Sequence, residues 1–344
     1  MQEEDHSSRP LSRQMKCEGV LHLPAALFVE ANALSKDYQT TIGSLEAVLR
    51  LPSLPDDEMN DSQRLRLMPP EPQRTDVVER LRTFEWGYVS ITETRASYIE
   101  STLVTFTLQD IDETADTEGG TARGLLRSQA FVGLDSAVEQ WFSIMSEWVE
   151  VWTGQRISAG PDPRAHSTRV DAWEVGRSEL EMYGTGVVMP GVRLQFSDVA
   201  ASEQVLRSAC LKAARNEPLP MAHRMLRRAR EALEYDDRRR AVIDGATAAE
   251  AALSLSITSQ LQMLSSEAID SILAMASGLV ELMKLHECLT AEEWSVSRRR
   301  AMDQLARPRN EAVHAAVVPD RDSTDRALEV ANRIVDECSP VPSP

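Results

Sequence analysis

From about residue 201 onward, apolar side chains recur every third or fourth position and strand-like alternation is absent, which predicts a succession of amphipathic helices. Glu203–Asn216 is the first, and Pro218-Leu219-Pro220 breaks the chain after it. Met221–Tyr235 follows, with Met225, Leu226, Ala229 and Leu233 on one face and Arg224, Arg227, Arg228 and Glu231 on the other. An alanine-rich helix runs from about Asp237 to Leu264, with Val242, Ala246, Ala249, Leu253, Ile257 and Leu261 as its buried stripe. Helices at about 266–287 and 291–306 come next, and a last one at about 324–337 takes Ser323 as its N-cap. Short links between such helices imply antiparallel neighbours, hence a bundle over 201–338.

The pattern before residue 200 is mixed. Gly19–Pro24, Tyr88–Thr92, Leu103–Leu108 and Val187–Phe196 are short, rich in branched or aromatic residues and partly alternating, so they read as strands. Between them, Trp141, Met145, Trp148 and Trp152 share one helical face that ends at Thr153-Gly154, a core stripe rather than a stacking platform. The fold class is therefore an α+β N-terminal domain over 15–200 followed by an all-α antiparallel helical bundle. Residues 1–14 are too poor in apolar side chains to offset their ordering entropy and read as a disordered tail, with a second short tail at 339–344.

Composition narrows the class without naming it. At 344 residues the chain exceeds one ordinary core, and 42% hydrophobic with 26% charged residues is usual for globular proteins. The acidic start lacks the cationic and apolar segments of a secretory signal, and no apolar run reaches the ~20 residues a membrane helix requires, so no membrane partner and a cytoplasmic location are expected. Four widely spaced cysteines, Cys17, Cys210, Cys288 and Cys338, suit reduced thiols. The net charge of −17 would discourage a nucleic-acid partner, but it is uneven: residues 1–200 hold 18 Lys+Arg against 32 Asp+Glu, and residues 201–344 hold 19 against 22. The second half is free to carry basic patches.

The segment Arg307-Pro308-Arg309-Asn310-Glu311-Ala312-Val313-His314 carries the most chemistry. Pro308 predicts that one helix ends near Ala306 and another begins here. Asn310 and His314, four apart, share a face, so the Asn amide is expected to orient the imidazole, while Arg309 lies about 140° round the helix from His314. These are the groups that RNA phosphodiester transesterification requires: an imidazole to move the 2′-hydroxyl proton near neutrality, and a guanidinium to stabilise charge on the phosphoryl oxygens. Glu250, set among alanines, is a supporting candidate as either a solvated carboxylate or a partner of Arg309. Arg238-Arg239-Arg240 and Arg298-Arg299-Arg300 are candidates for a phosphate-tracking rim.

Arg309, Asn310 and His314, preceded by Arg230–Leu253 and followed by the alanine-rich Asp325–Val335, resemble the HEPN superfamily of bacterial proteins over about residues 205–338. Its motif is an arginine, a polar residue, three variable positions and a histidine; Ala315 stands where many relatives carry glycine. The resemblance implies a HEPN-like α-bundle that homodimerises and acts on RNA as a metal-independent ribonuclease in toxin-like or antiviral systems, with no cofactor. Arg309, Asn310 and His314 would be catalytic; other relatives are non-catalytic modules binding nucleotide, RNA or protein. The acidic N-terminal domain would then sense a phage or cellular trigger.

Other chemistry is poorly served. Asp110, Asp112, Thr114 and Asp116 have calcium-loop spacing, but Ala115 and Thr121 stand where the turn glycine and bidentate glutamate belong. His286-Glu287-Cys288 lacks a second ligand pair for zinc. Phosphate-binding glycine loops, Gly-x-Ser-x-Gly and Cys-x-x-Cys do not occur.

Overall fold

In a computed structural model, residues 15–55, 66–89, 96–108, 134–155, 157, 169–175, 183–184, 199–291 and 293–344 are described. The chain divides into two compact units, Met1–Pro218 with Pro344, and Leu219–Ser343. The division falls later than the expected 200/201, because helix Glu203–Ala214 packs with the sheet of the first unit.

The first unit is built on an antiparallel sheet of β1 (Met15–Glu30), β2 (Asp37–Ile42), β3 (Leu45–Arg50), then, after the short helix α1 (Val78–Leu81), β4 (Gly87–Val89), β5 (Ala96–Leu108), β6 (Arg169–Glu174) and β7 (Tyr183–Gly184). Among the described residues the strand order is β2-β3-β5-β1-β6-β7, with β4 also on β5. β1 and β5 form its spine, paired from Met15↔Leu108 to Glu30↔Ala96 with one irregularity between His22 and Leu27. Three of the expected strands are thus segments of β1, β4 and β5. The fourth, Val187–Phe196, lies outside the described residues, as do most of Tyr88–Thr92, the Asp110–Thr121 loop and the 1–14 tail. The hairpin of β2 and β3 was not foreseen, although Gly43-Ser44 between alternating flanks is a turn signal and Gly43 takes the left-handed φ of +60° such a turn needs.

Alternation along β1 sorts the two faces of the sheet. Leu21 meets Ile42, Val104, Phe106 and Val170 beneath Leu134 and Val138 of α2 (Leu134–Thr153). The tryptophan stripe lies here as core: Trp141 and Trp148 are buried, and their indole N–H groups donate to Thr40 Oγ1 and to the Glu217 carbonyl, each at 2.8 Å. α3 (Glu203–Ala214), capped by Ser202, packs beside α2 and on β2. On the opposite face Glu18, fully buried, accepts from the Gln73 N–H at 3.0 Å, and Arg74 donates to the Glu174 carbonyl at 3.0 Å.

The second unit is all helical: α4 (Met221–Glu234), α5 (Arg238–Gln260), α6 (Ser266–Met275), α7 (Leu279–Thr290), α8 (Arg298–Ala301), a π-helical turn (Met302–Ala306), α9 (Arg307–His314) and α10 (Arg321–Cys338). α5 is the centre, with α4, α7, α9 and α10 packed on it. Its burial is wider than the expected stripe, taking in Ala241, Gly245, Ala248 and Ala252 as well. At Gly245 an added Cβ would stand 2.7 Å from Leu328 Cδ2, so a methyl group here would oblige the end of the Leu328 side chain to move. Among the described residues no helix is long and apolar enough to cross a membrane.

Three boundaries differ from expectation for identifiable reasons. The single helix over 266–287 is two, parted at Gly278, whose φ of +93° suits glycine alone. The helix expected at 291–306 starts only at Arg298, where Ser297 caps it. The last helix begins at Arg321 rather than at Thr324, because Asp320 outcompetes Ser323 as N-cap: its carboxylate accepts the Ser323 N–H at 2.7 Å and hydroxyl at 3.0 Å, which holds its pKa below the usual carboxylate range.

Burial pushes the Glu18 pKa up, only partly opposed by the Gln73 N–H. A carboxyl whose folded pKa is raised contributes stability below its unfolded pKa of about 4.3 and loses it as pH rises through the folded value. Glu18→Gln removes that loss, so its melting temperature relative to wild type should be higher at pH 7 than at pH 4.5. Thermal melts of both proteins at the two pH values check this; a difference that stays flat or reverses overturns it.

Candidate functional site

α9 does not begin a new helix. Ala301, Met302, Ala306 and Arg307 all hold right-handed helical dihedrals, so Arg298–His314 is one helix with a π turn in it. The expectation that Pro308 ends the preceding helix is corrected here. Proline lacks the N–H for an i→i−4 bond and its ring crowds the carbonyl four residues back. The chain accommodates this by widening instead of stopping: Arg307 N–H reaches five residues back to the Met302 carbonyl. Buried Leu305 before the proline and Ala312 after it keep the helix on the bundle on both sides.

The far end of α9 is closed by backbone. Ala315 and Val317 N–H groups both donate to the Glu311 carbonyl, at 3.0 and 3.3 Å, and Ala316 takes a left-handed φ of +52°. This leaves the Ala312 carbonyl to a side chain, and Arg239, from the first turn of α5, donates to it through Nε at 2.8 Å. Asp237 caps that turn of α5 by accepting from Arg240 N–H at 3.1 Å. The start of α5 and the end of α9 are therefore joined.

The three motif residues sit on this helix as follows. Arg309 is half-buried; its Nη1 donates to Asn310 Oδ1 at 3.1 Å, its Nε is buried without a hydrogen-bond partner, and no carboxylate lies within 4.0 Å of it among the described residues. Asn310 and His314 are exposed, and His314 is the last residue of α9. The expectation that Asn310 orients the His314 imidazole is corrected: no hydrogen bond joins the two among the described residues, and the Asn310 amide oxygen accepts from the neighbouring guanidinium. Arg309 and His314 do not touch, in keeping with their separation round the helix.

Of the supporting candidates, only Arg239 is brought to α9. Arg238 faces Asp236 at 3.1 Å and Arg240 faces Asp244 at 3.3 Å. Arg298, Arg299 and Arg300 pair with Glu287, Asp303 and Glu329 at 3.6, 3.7 and 3.0 Å. They lie about 15 Å upstream of Arg309 on the same helix at 1.5 Å per residue. Glu250 forms no pair with Arg309; it is half-buried on α5, about 16 Å along the helix from Arg239, which marks where α9 docks. His286 is buried and bonded to Ser256 Oγ at 3.0 Å, so it belongs to the packing of α5 and α7.

One constellation escaped the sequence because its members lie on three different strands. His22 reaches Ser101 Oγ through Nδ1 and Asp171 Oδ2 through Nε2, both at 3.1 Å, the residue types of a hydrolase triad with the two ring nitrogens exchanged. Access decides against catalysis. Ser101 is 1% exposed, and its hydroxyl has a nearer acceptor in the Glu85 carbonyl, at 2.7 Å, than in the imidazole. Neither a substrate nor the required proton transfer is provided for, and the group ties β1, β5 and β6 to the segment that crosses that face.

No protein-family model, no curated protein and no solved structure matches the chain.

The left-handed Ala316 costs about 1 kcal/mol relative to glycine there. Ala316→Gly should raise the melting temperature by a few degrees. An unchanged or lower melting temperature would mean the turn gains nothing from glycine.

Proposed function

We propose that the second unit is a HEPN-type, metal-independent endoribonuclease in which Arg309 stabilises the transition state, His314 moves protons and Asn310 holds the guanidinium. The observation that carries this reading is the state of the Arg309 side chain: in a chain with 54 acidic residues against 37 Lys+Arg, it has no carboxylate partner among the described residues, is held in place by Asn310, and shares one surface helix with an exposed histidine. A guanidinium left to an anion beside a free imidazole suits 2′-hydroxyl attack on a phosphodiester, with loss of the 5′-oxygen and a 2′,3′-cyclic phosphate as product.

One histidine serves as base or acid, and the reaction needs both in a turnover. A two-fold homodimer apposing α9 of two chains would supply two of each group. The surface around His314 supports that arrangement: Val313, Val317 and Val318 are 37%, 46% and 56% exposed, an apolar patch beside the motif. A second reading, a non-catalytic module that binds nucleotide, RNA or a protein partner, is favoured by one observation: Asn310, the neighbour suited to orient the His314 ring, is engaged elsewhere.

Purified protein incubated with total RNA in EDTA should cleave it and leave 2′,3′-cyclic ends. Arg309→Ala and His314→Ala should each lower the rate at least ~10²-fold, with melting temperatures within a few degrees of wild type. Strict dependence on added Mg²⁺ or Mn²⁺, or binding without cleavage, would replace this reading with the second.

For the composite cleft, excess His314→Ala chains mixed with wild-type chains should poison them, because each mixed dimer keeps a single His314. Activity that falls only in proportion to dilution, or an active wild type that sediments as a monomer, excludes a shared site.

A further inference from the structure

A second guanidinium reaches α9, that of Arg239 on α5, and it has no carboxylate partner among the described residues. Around this helix Arg238, Arg240, Arg298, Arg299, Arg300 and Arg307 each have a carboxylate within 4.0 Å. Arg239 has none among the described residues; its hydrogen bond goes to the Ala312 carbonyl. That bond fixes one edge of the planar fork and leaves the two Nη groups, the edge that meets an anion with parallel N–H bonds, without a partner among the described residues. Arg309 stands one turn back from Ala312 and about 60° round the axis, and it too has no acid. Arg239, bonded to α9 at Ala312, and Arg309, one turn back on α9, thus bring two uncompensated cations to neighbouring turns of that helix from different helices, an arrangement that an anion between them would favour.

We propose that Arg239 is a binding residue for single-stranded RNA, gripping a backbone phosphate next to the one that is cleaved. This rests on the ribonuclease reading of α9 and deepens it. Ala312 faces α5, and His314 lies about 200° round the helix from it, so a phosphate on Arg239 is on the far flank from the imidazole. Arg239 therefore positions the strand and does not touch the reacting atoms. A duplex is disfavoured as ligand, because a grip on successive phosphates of one strand along a helix flank needs a backbone free to bend.

The test uses the full chain in a His314→Ala background, so that binding is measured without cleavage. Affinity for a labelled single-stranded oligoribonucleotide is titrated between 50 and 200 mM salt for the background protein, for added Arg239→Gln and Arg239→Lys, and for Arg333→Gln. Arg333, paired with Glu329 at 2.8 Å, is the control. Arg239→Gln should weaken binding about tenfold and lower the salt slope by about 0.7, one single-strand phosphate contact. Arg239→Lys, which keeps the charge, should keep the slope, and Arg333→Gln should match the background. With His314 restored, Arg239→Gln should raise KM with kcat within about twofold, whereas Arg309→Ala lowers kcat. If the background protein binds RNA but Arg239→Gln leaves the slope unchanged, or if Arg239→Gln lowers kcat without raising KM, the assignment of Arg239 falls and the ribonuclease reading stands. If neither binding nor cleavage of RNA occurs, both fall together.

Discussion

The second unit depends on how closely helices approach α5. Alanine and glycine at Ala241, Gly245, Ala246, Ala248, Ala249 and Ala252 give this helix a thin profile on several sides at once. Neighbours therefore pack against backbone as much as side chain, and α10 comes near enough at Gly245 that a single methyl group would collide with Leu328. Along this stretch, from Ala241 to Ala252, Val242 is the one large buried side chain that could hold the neighbours in register. That work falls to a few directed contacts at its ends, the Asp237 cap and the Arg239 bond to α9 among them.

α9 shows what those contacts achieve. A proline at its start and a left-handed alanine after its end would, in isolation, make a short and frayed helix. It persists because Leu305 and Ala312 are buried on either side of Pro308 and because the carbonyl its terminus leaves open is capped from α5. The π turn is the local consequence of forcing a proline into a helix that tertiary packing will not release. Pro308 thus displaces backbone near Arg309 rather than ending the element that carries it.

Legibility in the sequence followed the range of the interactions concerned. Periodicity over ten or more residues located α4, α5 and the tryptophan face of α2, because burial of one face leaves its mark at fixed spacing. Boundaries were misplaced wherever two local signals competed, as with Asp320 against Ser323, or where a local rule met a tertiary constraint, as at Pro308. The residues of the candidate site were readable as types at a spacing, but their partners were not. That Asn310 serves Arg309 rather than His314 depends on side-chain reach, and that Arg239 alone of its triplet meets α9 depends on the packing of two helices far apart in sequence. The His22 network, with partners 79 and 149 residues away, had no local signature at all.

That network and the α9 site together separate geometry from function. His22, Ser101 and Asp171 have the distances of a catalytic triad, yet the polar atoms that link Asp171 to Glu85 are occupied within the fold and the hydroxyl is closed to solvent. α9 has the reverse character. Its distances describe no finished machine, but among the described residues it gathers two guanidiniums without carboxylates and an exposed imidazole, in a protein where acids outnumber bases by 17. Satisfied polar groups report on folding, since their free energy is already realised in the native state. Charges kept apart from the abundant opposite charge represent interaction energy still available to a ligand, and on α9 that energy would favour an anion.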